Sequence, residues 1–138
     1  MLRFAAIVPA LALAVAACKP AKPPLDESAE MIARSFFEEV RNGDDISNDA
    51  HVARELKNPT STEQLAEFRA MVPAGLPSRV EVEDYDVKTD DAGTTTRLSV
   101  AYRYATMTIL VQTALFKAPS GHEPVIVGFK VTQRPIGS

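Results

Sequence analysis

Between residues 73 and 77 the segment Pro-Ala-Gly-Leu-Pro separates two regimes of hydrophobic spacing. Before it, apolar residues recur every three or four positions, the period of a helix with one buried stripe. After it they alternate, the period of a strand with one buried face. Two prolines and a glycine cannot continue a helix, so helices come first and strands follow. That order predicts an α+β fold with about three N-terminal helices packed on one face of an antiparallel sheet of about four strands.

The helical half starts at Asp26, a side chain suited to capping. Ala29, Ile32, Ala33, Phe36, Phe37 and Val40 then form one stripe, and Asn42-Gly43 ends it. A short second helix is expected over Asp49 to Leu56, burying Val52, Ala53 and Leu56. A third follows the break at Asn58-Pro59, with Thr60 and Glu63, or Ser61 and Gln64, as a capping box. Its buried side would be Leu65, Phe68, Ala70, Met71 and Val72.

In the strand half, Val80 and Val82 keep one phase and Tyr85 and Val87 the other, which predicts a bulge near Glu83-Asp84. Asp90-Asp91-Ala92-Gly93 reads as a hairpin turn. Leu98, Val100, Tyr102 and Tyr104 share a face on the return strand. Met107, Ile109, Val111 and Leu115 face one way on the next, and Leu110, Ala114 and Phe116 the other. Arg97 to Lys117 contains no Gly, Pro, Asn or Asp, so it is either one long bent strand or two strands joined by a tight turn at Tyr104-Ala105-Thr106. After a turn at Pro119-Ser120-Gly121, Val125, Val127, Phe129 and Val131 alternate with Ile126, Gly128, Lys130 and Thr132 in a last strand.

The chain has 138 residues, and 16 of its first 18 are apolar. A positively charged start, Met1 to Arg3, precedes an apolar run over residues 4–14 that is shorter than the about 20 residues a spanning helix needs. This is the pattern of an export signal. Val15-Ala16-Ala17-Cys18 closes it, and resembles the bacterial lipobox: an aliphatic residue, two small ones, then cysteine. The resemblance implies a signal peptide over residues 1–17, cleavage before Cys18 and lipidation of its thiol. Cys18 is the single cysteine, so no disulfide staples the fold. Each buried methylene contributes about 0.8 kcal/mol to membrane binding, and several chains on one residue anchor stably. Lys19 follows the cysteine where an aspartate would signal inner-membrane retention, so the resemblance implies the outer membrane, facing the periplasm. Residues 18–25 then form a tether in which Pro20, Pro23 and Pro24 favour an extended chain.

The domain, residues 26–138, is long enough for one core and too short for two. Its element order, the segment Phe36-Phe37-Glu38-Glu39-Val40-Arg41-Asn42-Gly43-Asp44, the Pro73 to Pro77 segment and the closing Val127-Gly128-Phe129-Lys130-Val131 resemble the nuclear transport factor 2-like superfamily. That resemblance implies a curved sheet and helices forming a cone whose mouth takes an apolar ligand. Phe36, Phe37, Tyr85, Tyr102, Tyr104 and Phe129 are the candidate lining residues; core packing is their alternative role. Enzymatic members of ketosteroid isomerase-like type imply a second reading, an isomerase or hydratase using Asp84 or Asp86. Here the first helix offers no tyrosine for such chemistry.

Other chemistry finds few parts. Asp44, Asp45, Asp49 and His51 lack the glycine and terminal glutamate of a calcium loop and read as turn and capping residues, and no metal or cofactor is expected. No Gly-x-Ser-x-Gly elbow occurs. Residues 26–91 carry 17 acids against 7 bases, while residues 92–138 carry 1 acid and 5 bases. Such a balance does not suit nucleic acid. The expected partners are a membrane, through lipid on Cys18, and either a small apolar ligand or another envelope protein, the latter including assembly into an envelope complex.

Overall fold

The computed structural model describes residues 22–136. Two α-helices, α1 (Glu27–Asn42) and α2 (Pro59–Met71), pack on one face of an open antiparallel sheet in the order β1 (Arg79–Asp90), β2 (Gly93–Arg103), β3 (Met107–Lys117), β4 (Val125–Pro135). The fold is α+β.

Local chemistry accounts for α1 at both ends. The Asp26 carboxylate accepts from the Ser28 amide at 2.9 Å, which holds that acid below the ordinary carboxylate range. Gly43 closes the helix at φ 73°. Its amide donates to the Val40 carbonyl at 3.2 Å and the Asp44 amide to Glu39 at 2.9 Å, so the terminal carbonyls are satisfied. All six stripe residues are buried.

The start of α2 differs from the expected capping box. Asn58 is the cap, accepting from the Ser61 amide at 2.9 Å, with Pro59 in the first helical turn. Proline there loses no hydrogen bond, because that amide would be unpaired anyway. Leu65, Phe68, Met71 and Val72 pack against the core, whereas Ala70 is exposed.

Residues 49–56 do not form the expected second helix. They contribute one 3-10 turn, Arg54–Leu56, and a stretch that pairs with β4. The Ala53 amide donates to the Ile126 carbonyl at 2.8 Å and the Ile126 amide to His51 at 2.7 Å, making a parallel bridge between Val52 and Ile126. An unpaired sheet edge is a template for association. Here residues 51–53 pair with the first residues of that edge, and Val52 is buried there.

Alternation in the strands translates directly into register. The β1–β2 pairing shifts between Val82 and Asp84, the bulge expected at that place. Residues 97–117 form two strands: β2 ends at Arg103, β3 begins at Met107, and the Tyr104 amide donates to the Met107 carbonyl at 2.8 Å across the turn. Val100, Val111 and Val131 align across three strands on the helix-facing side.

Strand β4 departs from simple alternation. A second register shift, between Ala114 and Leu115 on the partner strand, places Ile126 opposite Leu115 and leaves Val127 as the extra residue. Ile126 is therefore fully buried and Val127 is 42% exposed. Val125, opposite Phe116, lies on the outer face, so of the four alternating valine and phenylalanine positions only Phe129 and Val131 face the helices.

Candidate functional site

Three regions of the molecule gather side chains with chemical potential: the interior under α1, the outer face of the sheet, and a cleft at the far ends of the helices.

The interior holds most of the aromatic residues singled out above. Phe36 and Phe37 project from α1 into the sheet, and both are almost wholly buried. Phe36 meets the ring of Phe129 edge-on, centroids 4.9 Å apart, and Phe68 from α2 packs on the same ring at 5.6 Å. Phe37 lies against Tyr102 at 4.1 Å. Such pairs add about 0.5–1.5 kcal/mol each to the burial of their surface. Between α1, α2 and β4 they leave a cavity of about 30 Å³, lined by Phe36, Leu65, Phe68 and Phe129 among others. That is room for a water molecule or two, and far below the about 300 Å³ of a small ligand site. Between these rings packing leaves no space of ligand size.

Tyr102 lies near the end of β2 and Tyr104 just beyond it, in the turn to β3. Burial pushes both hydroxyls up in pKa. The Tyr104 hydroxyl lies beside Arg41 but makes no hydrogen bond of good geometry. Tyr85 stands apart from the other five. From β1 it donates its hydroxyl proton to the Pro23 carbonyl at 2.9 Å, while the Lys22 ammonium sits 4.0 Å from its ring centroid. Cys18 lies outside the described residues.

Asp84 and Asp86 share the outer face, away from the helices, and both are exposed. Asp84 pairs with Lys22 at 2.9 Å, and that hydrogen bond holds its carboxyl below the ordinary range. Across the same face Arg103 donates twice to Glu81, at 2.8 and 2.6 Å, and Arg134 pairs with Glu83 at 2.9 Å. Between them lies Ala101, fully buried although it points away from the helices.

The acids after α1 serve the local backbone. Asp45 accepts from the Ser47 amide at 2.9 Å and Asp49 from the His51 amide at 2.8 Å. His51 Nδ1 is 3.4 Å from Glu123. Glu39, on the last turn of α1, loses water by burial and faces Asp49, and its pKa is pushed up to about 7. Among the described residues no group of three or more histidines, cysteines and carboxylates is arranged to hold a metal ion. No helix among them is long and apolar enough to cross a membrane.

The third region is open. Arg41, Asn42, Arg69 and residues 72–76 line a cleft of about 470 Å³. Arg41 donates to the Gly75 carbonyl at 3.2 Å and pairs with Glu38 at 2.7 Å, which fixes the loop against α1. Leu76 at its rim is 82% exposed. The Pro73 to Pro77 segment was legible in the sequence as a helix stop; that it also presents an apolar side chain beside two arginines depends on how α1 and α2 meet.

Fold and surface together define a small α+β domain, with its helices on one side of a four-stranded meander and its clefts on the outside. Comparison with family models, with curated proteins and with solved structures finds no match to this chain.

Proposed function

We propose that the chain is a lipoprotein, anchored by lipid on Cys18 in the outer membrane and facing the periplasm, whose domain is of nuclear transport factor 2-like type and binds another envelope protein without catalysing a reaction. The anchoring rests on the Val15-Ala16-Ala17-Cys18 motif behind its apolar run. The family reading draws on the cap at Asn42-Gly43-Asp44, the Pro73 to Pro77 segment and the four-stranded meander.

One observation carries protein binding over ligand binding: the cavity beside the candidate aromatic residues is only about 30 Å³, while the most exposed large apolar side chain among the described residues, Leu76, stands at the rim of an external cleft. An exposed leucine beside Arg41 and Arg69 suits a partner that offers an apolar side chain and a carboxylate.

Two measurements test this. Cys18→Ala should move the protein from the membrane fraction to the soluble periplasm; retention in membranes would refute the anchor. A photo-crosslinking residue at position 76 should capture one recurring envelope protein, and the same residue at Met31, 67% exposed on α1, should not. Equal or absent capture at the two positions refutes the binding surface.

A further inference from the structure

The tether is not a free spacer where it joins the domain. Lys22 pairs with Asp84 at 2.9 Å and lies over the Tyr85 ring, and Tyr85 holds the Pro23 carbonyl at 2.9 Å. All three contacts fall on Asp84 and Tyr85, which follow the β1 bulge at the edge of the sheet, Asp84 on the outer side and Tyr85 on the helix-facing side. Four residues separate Lys22 from Cys18, a reach of at most about 14 Å for an extended chain. A lipid on Cys18 therefore holds the bulge of β1 close to the headgroups.

Charge distinguishes the two sides of the molecule at that point. Residues 26–78, which include both helices, carry 11 acids and 5 bases. The outer face of the sheet carries six cations against five carboxylates, counting the bulged Glu83 and Asp90 beside the hairpin turn. Arg79, Arg103 and Arg134 on that face are spent on ion pairs. Arg97 and Lys130 are not: among the described residues neither has an ion-pair partner, although Asp86 stands opposite Arg97 in register. The two flank a shallow groove of about 310 Å³ across β2, β3 and β4. Ser99, Ala114 and Gly128 form its floor, and Ser99 is the register partner of Asp84, where the tether is seated.

We propose that the outer face of the sheet lies against the anionic phospholipid headgroups of the membrane that holds the anchor, with Arg97 and Lys130 on lipid phosphates and the seated tether setting the orientation. This rests on the lipoprotein reading and adds to it a direction: the acidic helical side, with the Leu76 cleft, is turned toward the periplasm. Cations near an anionic surface are attracted over about a Debye length. Carboxylates on the helical side are repelled over the same distance. The leash supplies proximity, and charge supplies the choice of face.

The test uses the lipidated full chain in vesicles of phosphatidylcholine with and without phosphatidylglycerol, with a fluorophore on an engineered cysteine at Thr95→Cys on the outer face or Glu67→Cys on α2. Headgroup-proximal quencher lipids should quench position 95 strongly and position 67 weakly, only when phosphatidylglycerol is present, and high salt should abolish the difference. Arg97→Gln with Lys130→Gln, both exposed and, among the described residues, without a side-chain hydrogen bond or ion pair, should lower the docked-to-free ratio roughly tenfold or more. Equal quenching at the two positions, or stronger quenching at 67, overturns the orientation. Mass spectrometry of the same sample separates the two readings: an unmodified Cys18 overturns the anchor and the orientation together, whereas lipid on Cys18 with equal quenching overturns the orientation alone.

Discussion

Arg134 and Glu83 form an ion pair of 2.9 Å between strands at opposite edges of the sheet. In a flat four-stranded sheet those edges are about 14 Å apart, at about 4.8 Å per strand, so both long side chains must extend across the outer face to meet, with Glu83 placed at the β1 bulge. Both side chains are more than a third exposed, and exposed pairs contribute about 0.2–1 kcal/mol. A double-mutant cycle with Glu83→Gln and Arg134→Gln should give a coupling energy in that range at low salt, falling at high salt. A coupling above about 2 kcal/mol would mean that the pair is held far more rigidly than an exposed ion pair.

Phe37 is fully buried against Tyr102, and its removal opens a cavity under α1 that the helix cannot collapse to fill. Phe37→Ala should destabilise the domain by about 3–5 kcal/mol in urea unfolding. Leu76→Ala should change stability by less than about 0.5 kcal/mol, because that side chain is in water. A small effect at Phe37 would reopen the possibility that the interior is a binding cavity.

Glu39 gives the stability a pH dependence of definite sign. Burial and the facing Asp49 raise its pKa from 4.5 to about 7. The folded chain then holds a proton that the unfolded chain releases, so the stabilisation is complete below the unfolded value and is lost as pH rises through 7. Relative to the native chain, Glu39→Gln should be more stable at pH 8 than at pH 5, by several degrees in Tm at about 4–8 °C per kcal/mol. A constant difference across that window would show that Glu39 titrates as an ordinary carboxylate.

Gly93 and Gly128 should respond oppositely to a methyl group. Gly93 closes the first hairpin at φ 143°, and a Cβ there would meet the Lys117 carbonyl oxygen of the neighbouring strand, which cannot move aside. Gly93→Ala should cost about 2 kcal/mol or more. At Gly128 the nearest atom is the Ala114 Cβ at 3.4 Å, an ordinary contact, and Gly128→Ala should leave the urea midpoint nearly unchanged.

Much of the fold was readable from local signals. The α1 stripe and its two ends, the bulge at Glu83, the Asp90 to Gly93 hairpin and the break at Tyr104 to Thr106 all appear where spacing and turn chemistry place them. The β4 bulge was not readable. Val125, Val127, Phe129 and Val131 alternate perfectly as text, and only the fit of Ile126 against Leu115 and Val52 makes the slip favourable. Residues 49–56 escaped for a related reason. Their weak helical spacing yields to a sheet edge that lies more than seventy residues away in sequence.

For the surfaces the division is sharper. Lys22, Asp84 and Tyr85 look unrelated along the chain, and the Arg134 to Glu83 pair links residues 51 positions apart; both depend on which strand is an edge and how it bends. The six aromatic residues were identifiable as large and inward-facing, but whether they line a cavity or fill it is a question of summed volumes. The sequence by itself determined the two regimes of spacing, the caps and turns, and the motif around Cys18, because each depends on neighbours a few residues apart. Only the tertiary structure decided the packing of the aromatic rings on one another, the pairing of Val52 with the start of β4, the seat of the tether and the exposure of Leu76, because these follow from long-range pairing and from the closeness with which side chains from distant segments occupy one space.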